Sequence, residues 1–169
     1  MSEWSILPAD PLAGDVLTIQ GKAEPDKSID IVVSFKVEVP VVEGMYEYKF
    51  DEIQIPKGRN SFEVRSQQVK DLNFIVKMFV DFKRSFDAKD GIAEFAENNV
   101  PHGKYDIIIN GFAKEGESEV DIDFTAKEAI MSDNQGEFYH NYETNALPAG
   151  KFVVRIGNVE KEINLRQVT

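Results

Sequence analysis

From Glu119 to Phe124 the chain alternates without a break. Val120, Ile122 and Phe124 fall on one side of an extended backbone, and Glu119, Asp121 and Asp123 on the other. That two-residue period is the mark of a strand with one buried face. The alternation recurs over residues 16–20, 29–35, 46–50, 62–65, 72–76, 105–109, 138–142, 152–156 and 160–165. Between these runs stand turn formers: Pro25-Asp26, Pro56-Lys57-Gly58, Asp90-Gly91, Pro101-His102-Gly103, Asn134-Gln135-Gly136 and Pro148-Ala149-Gly150. Gly157-Asn158, set between Ile156 and Val159, predicts a two-residue hairpin turn. Short strands punctuated every ~8–12 residues predict an all-β sandwich or barrel. Residues 92–98 read as a further strand. Residues 125–131 are too short for a helix that stands alone, and they are left between a strand end and an irregular crossover.

The runs also repeat. Leu17-Thr18-Ile19-Gln20-Gly21-Lys22-Ala23 and Ile107-Ile108-Ile109-Asn110-Gly111-Phe112-Ala113 share the form apolar-x-apolar-x-Gly-x-Ala. Ile29-Asp30-Ile31 answers Val120-Asp121-Ile122. Gly44-Met45-Tyr46-Glu47-Tyr48-Lys49-Phe50 answers Gly136-Glu137-Phe138-Tyr139-His140-Asn141-Tyr142. Ile55-Pro56-Lys57-Gly58 answers Leu147-Pro148-Ala149-Gly150, Phe62-Glu63-Val64 answers Phe152-Val153-Val154, and Leu72-Asn73-Phe74 answers Ile163-Asn164-Leu165. The offset stays between 90 and 92 positions across all six blocks, which predicts a duplicated module. Its copies are assigned to residues 1–84 and 85–169. The junction falls within residues 80–90, where the large apolar residues Phe79, Val80, Phe82 and Phe86 predict stiff β structure instead of a linker. Two sandwiches in fixed orientation, or sharing a continuous strand, are expected.

The repeated Gly21, Gly44, Pro56, Gly58, Gly111, Gly136, Pro148 and Gly150 are turn and corner residues in this reading. Gly44 and Gly136 precede the aromatic strands and supply the positive φ of a hairpin turn. Tyr46, Tyr48 and Phe50 share one strand face, as do Phe138, His140 and Tyr142, and both sets are expected core anchors.

The opening Pro11-Leu12-Ala13-Gly14-Asp15-Val16-Leu17-Thr18-Ile19-Gln20-Gly21-Lys22-Ala23 is similar to that of many immunoglobulin-like modules of prokaryotic surface proteins. The Gly-led aromatic strand followed by Ile/Leu-Pro-x-Gly-x-x-aromatic resembles prealbumin-like β-sandwich repeats. From about Ile6 to Leu165 the chain resembles the tandem modules of archaeal, methanogen-type secreted and cell-envelope proteins. That resemblance implies two tandem Ig-like antiparallel sandwiches serving as spacer, adhesion or envelope-association units at the cell surface, with a protein or envelope partner and no catalytic residues to carry over. No asparagine begins an Asn-x-Ser/Thr sequon, which weighs against a glycosylated surface.

Composition narrows the chemistry. The net charge of -11 and pI near 4.7 disfavour binding to nucleic-acid phosphates. The absence of cysteine removes disulfides and thiolate chemistry. Apolar runs fall far short of the ~20 residues that span a bilayer, and no signal-peptide pattern opens the chain. There is no Gly-x-Ser-x-Gly, phosphate-loop or dinucleotide fingerprint, so an enzyme is not expected.

The row Glu119, Asp121 and Asp123 is the one metal candidate, for weakly held calcium or a basic partner, against the plainer reading of a solvated face. The loops 87–91 and 133–137 lack the alternating acids of a calcium loop and read as turns. His102 is expected exposed in its corner and His140 packed. Trp4 and Tyr139 are the candidate exposed rings for stacking on a carbohydrate, with core or margin packing the alternative for both.

Overall fold

The computed structural model describes residues 3–55 and 57–168, so Pro56 of the repeat lies outside the described residues. The strands in chain order begin with β1 (Trp4–Leu7), β2 (Val16–Lys22), β3 (Ser28–Pro40), β4 (Met45–Ile55) and β5 (Asn60–Gln67). They continue with β6 (Asp71–Lys77), β7 (Phe82–Asp87), β8 (Ile92–Asn98) and β9 (Gly103–Phe112). The last four are β10 (Glu119–Met131), β11 (Glu137–Glu143), β12 (Gly150–Ile156) and β13 (Val159–Leu165). The protein is all-β, as the alternation predicts. Residues 125–131, left open on sequence, continue β10 as regular strand.

Three antiparallel sheets form two layers. A six-stranded sheet of order β13-β12-β3-β10-β5-β8 makes the lower layer. The upper layer is split into a three-stranded sheet, β1-β2-β11, and a four-stranded sheet, β4-β9-β6-β7. At the centre of the lower sheet β3 and β10 pair along their whole length, from Ser28↔Met131 to Pro40↔Glu119. One face of this ladder carries Ile29, Ile31, Val33, Phe35 and Val39 with Val120, Ile122 and Phe124, all buried against the upper layer. The opposite face carries Asp30, Lys36, Glu38 and Lys127 toward water, so the alternating pattern is spent on a one-sided sheet.

Residues 1–84 and 85–169 interlock: each sheet draws strands from both. The registers also match one another. Gly21↔Phe138, Ile19↔His140 and Leu17↔Tyr142 join β2 to β11. The same ladder appears as Gly111↔Tyr46, Ile109↔Tyr48 and Ile107↔Phe50 between β9 and β4. In the lower layer Phe152↔Phe35 and Val154↔Val33 correspond to Phe62↔Ala126 and Val64↔Phe124. Gly21 and Gly111 are mid-strand glycines required by close approach. A Cβ on the first would collide with Glu3 and Trp4 of β1, and on the second with Asp71 and the Tyr46 ring. Gly44 and Gly136 adopt φ of +77° and +83° at the start of their aromatic strands, the left-handed turn geometry expected of them. Gly58 sits in the β4–β5 turn, Pro148 just ahead of β12 and Gly150 at its start.

Candidate functional site: an apolar cleft and hairpin tip

The two layers part at the end where β4 finishes and β9 begins. β4 carries Tyr46 and Phe50 inward until a one-residue bulge between Phe50 and Ile53 shifts the register. There Glu52 takes φ of +54°, and its N–H donates to Asp106 Oδ1 at 2.8 Å. Inserting one residue reverses which side chains face in, so Ile53 and Ile55 turn inward where the unbroken alternation would have sent them out. With Phe74 and Val76 of β6, Ile107 of β9 and Phe62 of β5 they line a cavity of about 300 Å³. The mouth carries Phe82, Arg84, Glu97 and Asn99. Val100 of its lining is held by Asn60, whose side chain accepts from Val100 N–H at 2.8 Å and donates to Val100 O at 2.9 Å. Behind it the rings Phe62, Phe74 and Phe95 follow one another at 6.1 and 4.3 Å between centroids. A concave apolar space of this size with a few polar groups at its rim is the usual form of a ligand or partner site.

The β6–β7 hairpin projects from the same end. Its tip presents three consecutive apolar residues to water: Met78 is 55% exposed, Phe79 fully exposed and Val80 77% exposed. The turn is fixed by Asp81, which accepts from Lys77 Nζ at 2.8 Å and from Met78 N–H at 3.3 Å. The lysine hydrogen bond holds the Asp81 carboxyl below its usual range. Next to the turn Val76 faces Phe82, and the Arg84 guanidinium lies 5.2 Å over the Phe82 ring. An exposed aromatic at the end of a braced hairpin is the feature sequence reading missed. The signal available was Met78-Phe79-Val80 bracketed by Lys77 and Asp81, where Phe79 and Val80 read as residues of a stiff β segment and not as an exposed turn.

A second cluster lies in the interior. Glu128 on β10 and His140 on β11 meet across the layers, with 12% and 15% of their side chains exposed. Glu128 Oε2 and His140 Nε2 have no hydrogen-bond partner beyond that contact. The His140 ring meets Tyr142 edge-on at 6.4 Å. Burial, and after it the charge of Glu128, pushes the Tyr142 hydroxyl far above the ordinary tyrosine range. Neither Glu128 nor His140 lines any of the larger cavities found among the described residues, so the pair faces protein and not a substrate space.

The other sequence candidates are dispersed. Glu119 stands at the start of β10 opposite Pro40. Asp121 pairs with Lys36 at 3.5 Å, and Asp123 accepts from Gln67 Nε2 at 2.8 Å. Among the described residues no group of three or more His, Asp or Glu is placed to hold a metal ion. In the 133–137 loop Asp133 Oδ1 accepts from the N–H groups of Gln135 and Glu137 at 2.9 and 2.8 Å, as a turn does. His102 is exposed. Trp4 is buried, with Lys161 Nζ 4.9 Å over its ring and bonded to its carbonyl oxygen at 2.7 Å, so it offers no stacking platform. Tyr139 is 63% exposed beside Ser5, Gln20 and Lys22 in a shallow groove. No helix among the described residues is long and apolar enough to cross a membrane.

No family model, curated protein or solved structure matches the chain.

Proposed function

We propose that the protein is a non-catalytic interaction module of a secreted or cell-surface protein, acting in envelope association through the hairpin tip and the cleft behind it. The observation that carries this reading is Phe79, fully exposed with Met78 and Val80 beside it, on a hairpin tip whose Met78 lines an apolar cavity. Folded chains seldom leave adjoining large apolar side chains in water unless another surface takes them up. The scaffold is read as two copies of one Ig-like, prealbumin-like unit that have exchanged strands. In support, the sequence offsets of 90 to 92 reappear as the paired registers of β2·β11 with β9·β4 and of β12·β3 with β5·β10. In that reading β4 of the first copy completes the sheet of β9, and β11 of the second completes the sheet of β2. Reciprocal exchange of an identical element is a low-cost way to fasten two copies together.

The test is sedimentation with cell-envelope fractions of the source organism. The protein is expected in the pellet, and Phe79→Ser with Val80→Ser in the supernatant with an unchanged circular dichroism spectrum. Both proteins staying in the supernatant would remove the reading.

A second reading, carbohydrate binding, is favoured by Tyr139 alone, whose exposed ring adjoins polar side chains as a sugar-stacking face would. A glycan array comparing the protein with Tyr139→Ala tests it: a signal lost in the variant supports it, and no signal disposes of it.

A further inference from the structure

We infer that the β6–β7 tip inserts into the interfacial region of an anionic lipid bilayer; this names the partner of the envelope-association reading and rests on it. Two independent properties of the hairpin converge. The first is a preformed apolar end. Met78, Phe79 and Val80 are exposed, Phe82 follows them, and the Lys77–Asp81 clasp holds the turn, so no ordering of the loop has to accompany binding.

The second is charge. The chain carries a net -11, yet residues 77–84 hold Lys77, Lys83 and Arg84 against the single acid Asp81. That acid is already engaged by Lys77. Among the described residues, neither Lys83 nor Arg84 has a carboxylate within ion-pair distance. The β4–β5 turn, with Lys57 and Arg59, lies at the same end, because Ile55 pairs with Gly103 while Lys77 pairs with Asp106. The long acidic face of β10 and β3 belongs to the opposite layer. Glu52, Glu97 and Asp106 stand at the same end, so it is the tip segment 77–84 itself, and not the whole end, that offers an excess of positive charge to a negative surface.

This chemistry fits a lipid surface better than a second protein. A second copy would bring the same cations to the contact. A three-residue tip also falls far short of the ~800 Å² per partner of a stable protein interface. A bilayer interface needs no shape complementarity: it takes aromatic and aliphatic tips at the level of the headgroups, while lysine and arginine gain from anionic lipid.

The experiment is co-sedimentation of the full chain with vesicles of phosphatidylcholine alone and of phosphatidylcholine with roughly one-third phosphatidylglycerol, at low and high salt. Binding is expected to the anionic vesicles only and to weaken with salt. Phe79→Ser is expected to lower the partition coefficient about tenfold or more, and Lys83→Gln with Arg84→Gln by a similar factor. Val42→Ser, at an exposed turn on the opposite end, is expected to bind as the parent does. Failure to bind anionic vesicles overturns the inference, as does binding indifferent to the tip and charge variants, or a Phe79-dependent dimer by light scattering. Should the protein still pellet with envelope fractions through Phe79 while ignoring vesicles, the lipid assignment falls to a protein or glycan partner and the envelope reading stands. Should it do neither, both fall.

Discussion

Over β10, β5 and β8 the space between the layers is filled with a continuous cluster of rings that reaches Phe35 of β3, whereas the flank over β12 and β13 sets the single ring Phe152 among aliphatic side chains, with one ionisable pair between β10 and β11 beside it. Phe124 touches Phe35, Tyr48, Phe50 and Phe62 at centroid separations of 5.0 to 6.1 Å. In the other flank the equivalent registers place His140 where the first has Tyr48, and Tyr142 where it has Phe50. Glu128 stands opposite Ile31 in the position that Val37 holds opposite Ile122. The same backbone ladders accept either filling, so strand pairing and the placement of glycine set the architecture more than the identity of the core side chains. The ends differ as well. β13 folds back on β12 within the lower sheet, and beneath it Leu147, Phe152 and Leu165 leave a void of only about 10 Å³. β6 instead joins the upper sheet beside β9 and carries β7 outward with it, which leaves its flank open. One flank is sealed and the other presents a mouth.

The strongest way to break this contrast is at the ring cluster. Phe124→Ala is expected to cost about 3–5 kcal/mol, read as a lowered urea midpoint, because it removes a ring that both sides of the central ladder lean on.

Next is the ionisable pair. His140→Leu leaves Glu128 buried without its partner and is expected to cost about 3–5 kcal/mol in the same assay. Installing the residues of the other flank, Glu128→Val together with His140→Tyr, is expected to recover most of that loss or to exceed the parent. A double variant as unstable as the single one would mean that the flanks are not interchangeable.

The smallest effect is in alkali. Burial, aided by the charge of Asp71, pushes the Tyr46 hydroxyl, which donates to the Asp71 carbonyl oxygen at 2.8 Å, up to about 12. The neutral phenol is therefore favoured by folding. Its contribution is complete below the unfolded value near 10 and is lost as pH rises from there through about 12, roughly 2 kcal/mol in all. Tyr142 shifts in the same direction and steepens the loss. Tyr46→Phe is expected to flatten the fall of the denaturation midpoint over that interval.

The strands, the turns and the paired blocks could be read locally, since alternation and turn chemistry are properties of a few neighbouring residues. Which strands would pair could not. The same blocks at the same spacing are compatible with pairing inside residues 1–84 and with the observed pairing across to residues 85–169. Glu128 was missed for a related reason. Once residues 125–131 are strand, the phase of Phe124 and Ala126 carries it to the inner face, but the segment's Ala and Glu content hid the phase. Ile53 and Ile55 were hidden by the bulge, which breaks the period at Asp51-Glu52 without any glycine to announce it. The exposure of Phe79 is a fact about what does not cover it, and no local pattern encodes that.

The full-length ladder between β3 and β10 has a consequence for biogenesis. When β3 leaves the ribosome its principal partner has yet to be translated, so the nascent first half waits with an open edge and an uncovered apolar face. Such non-local pairing makes for slow maturation and a window in which association with other unfinished chains competes. A chaperone able to shield that edge would raise the yield of native protein more than any improvement in the finished core.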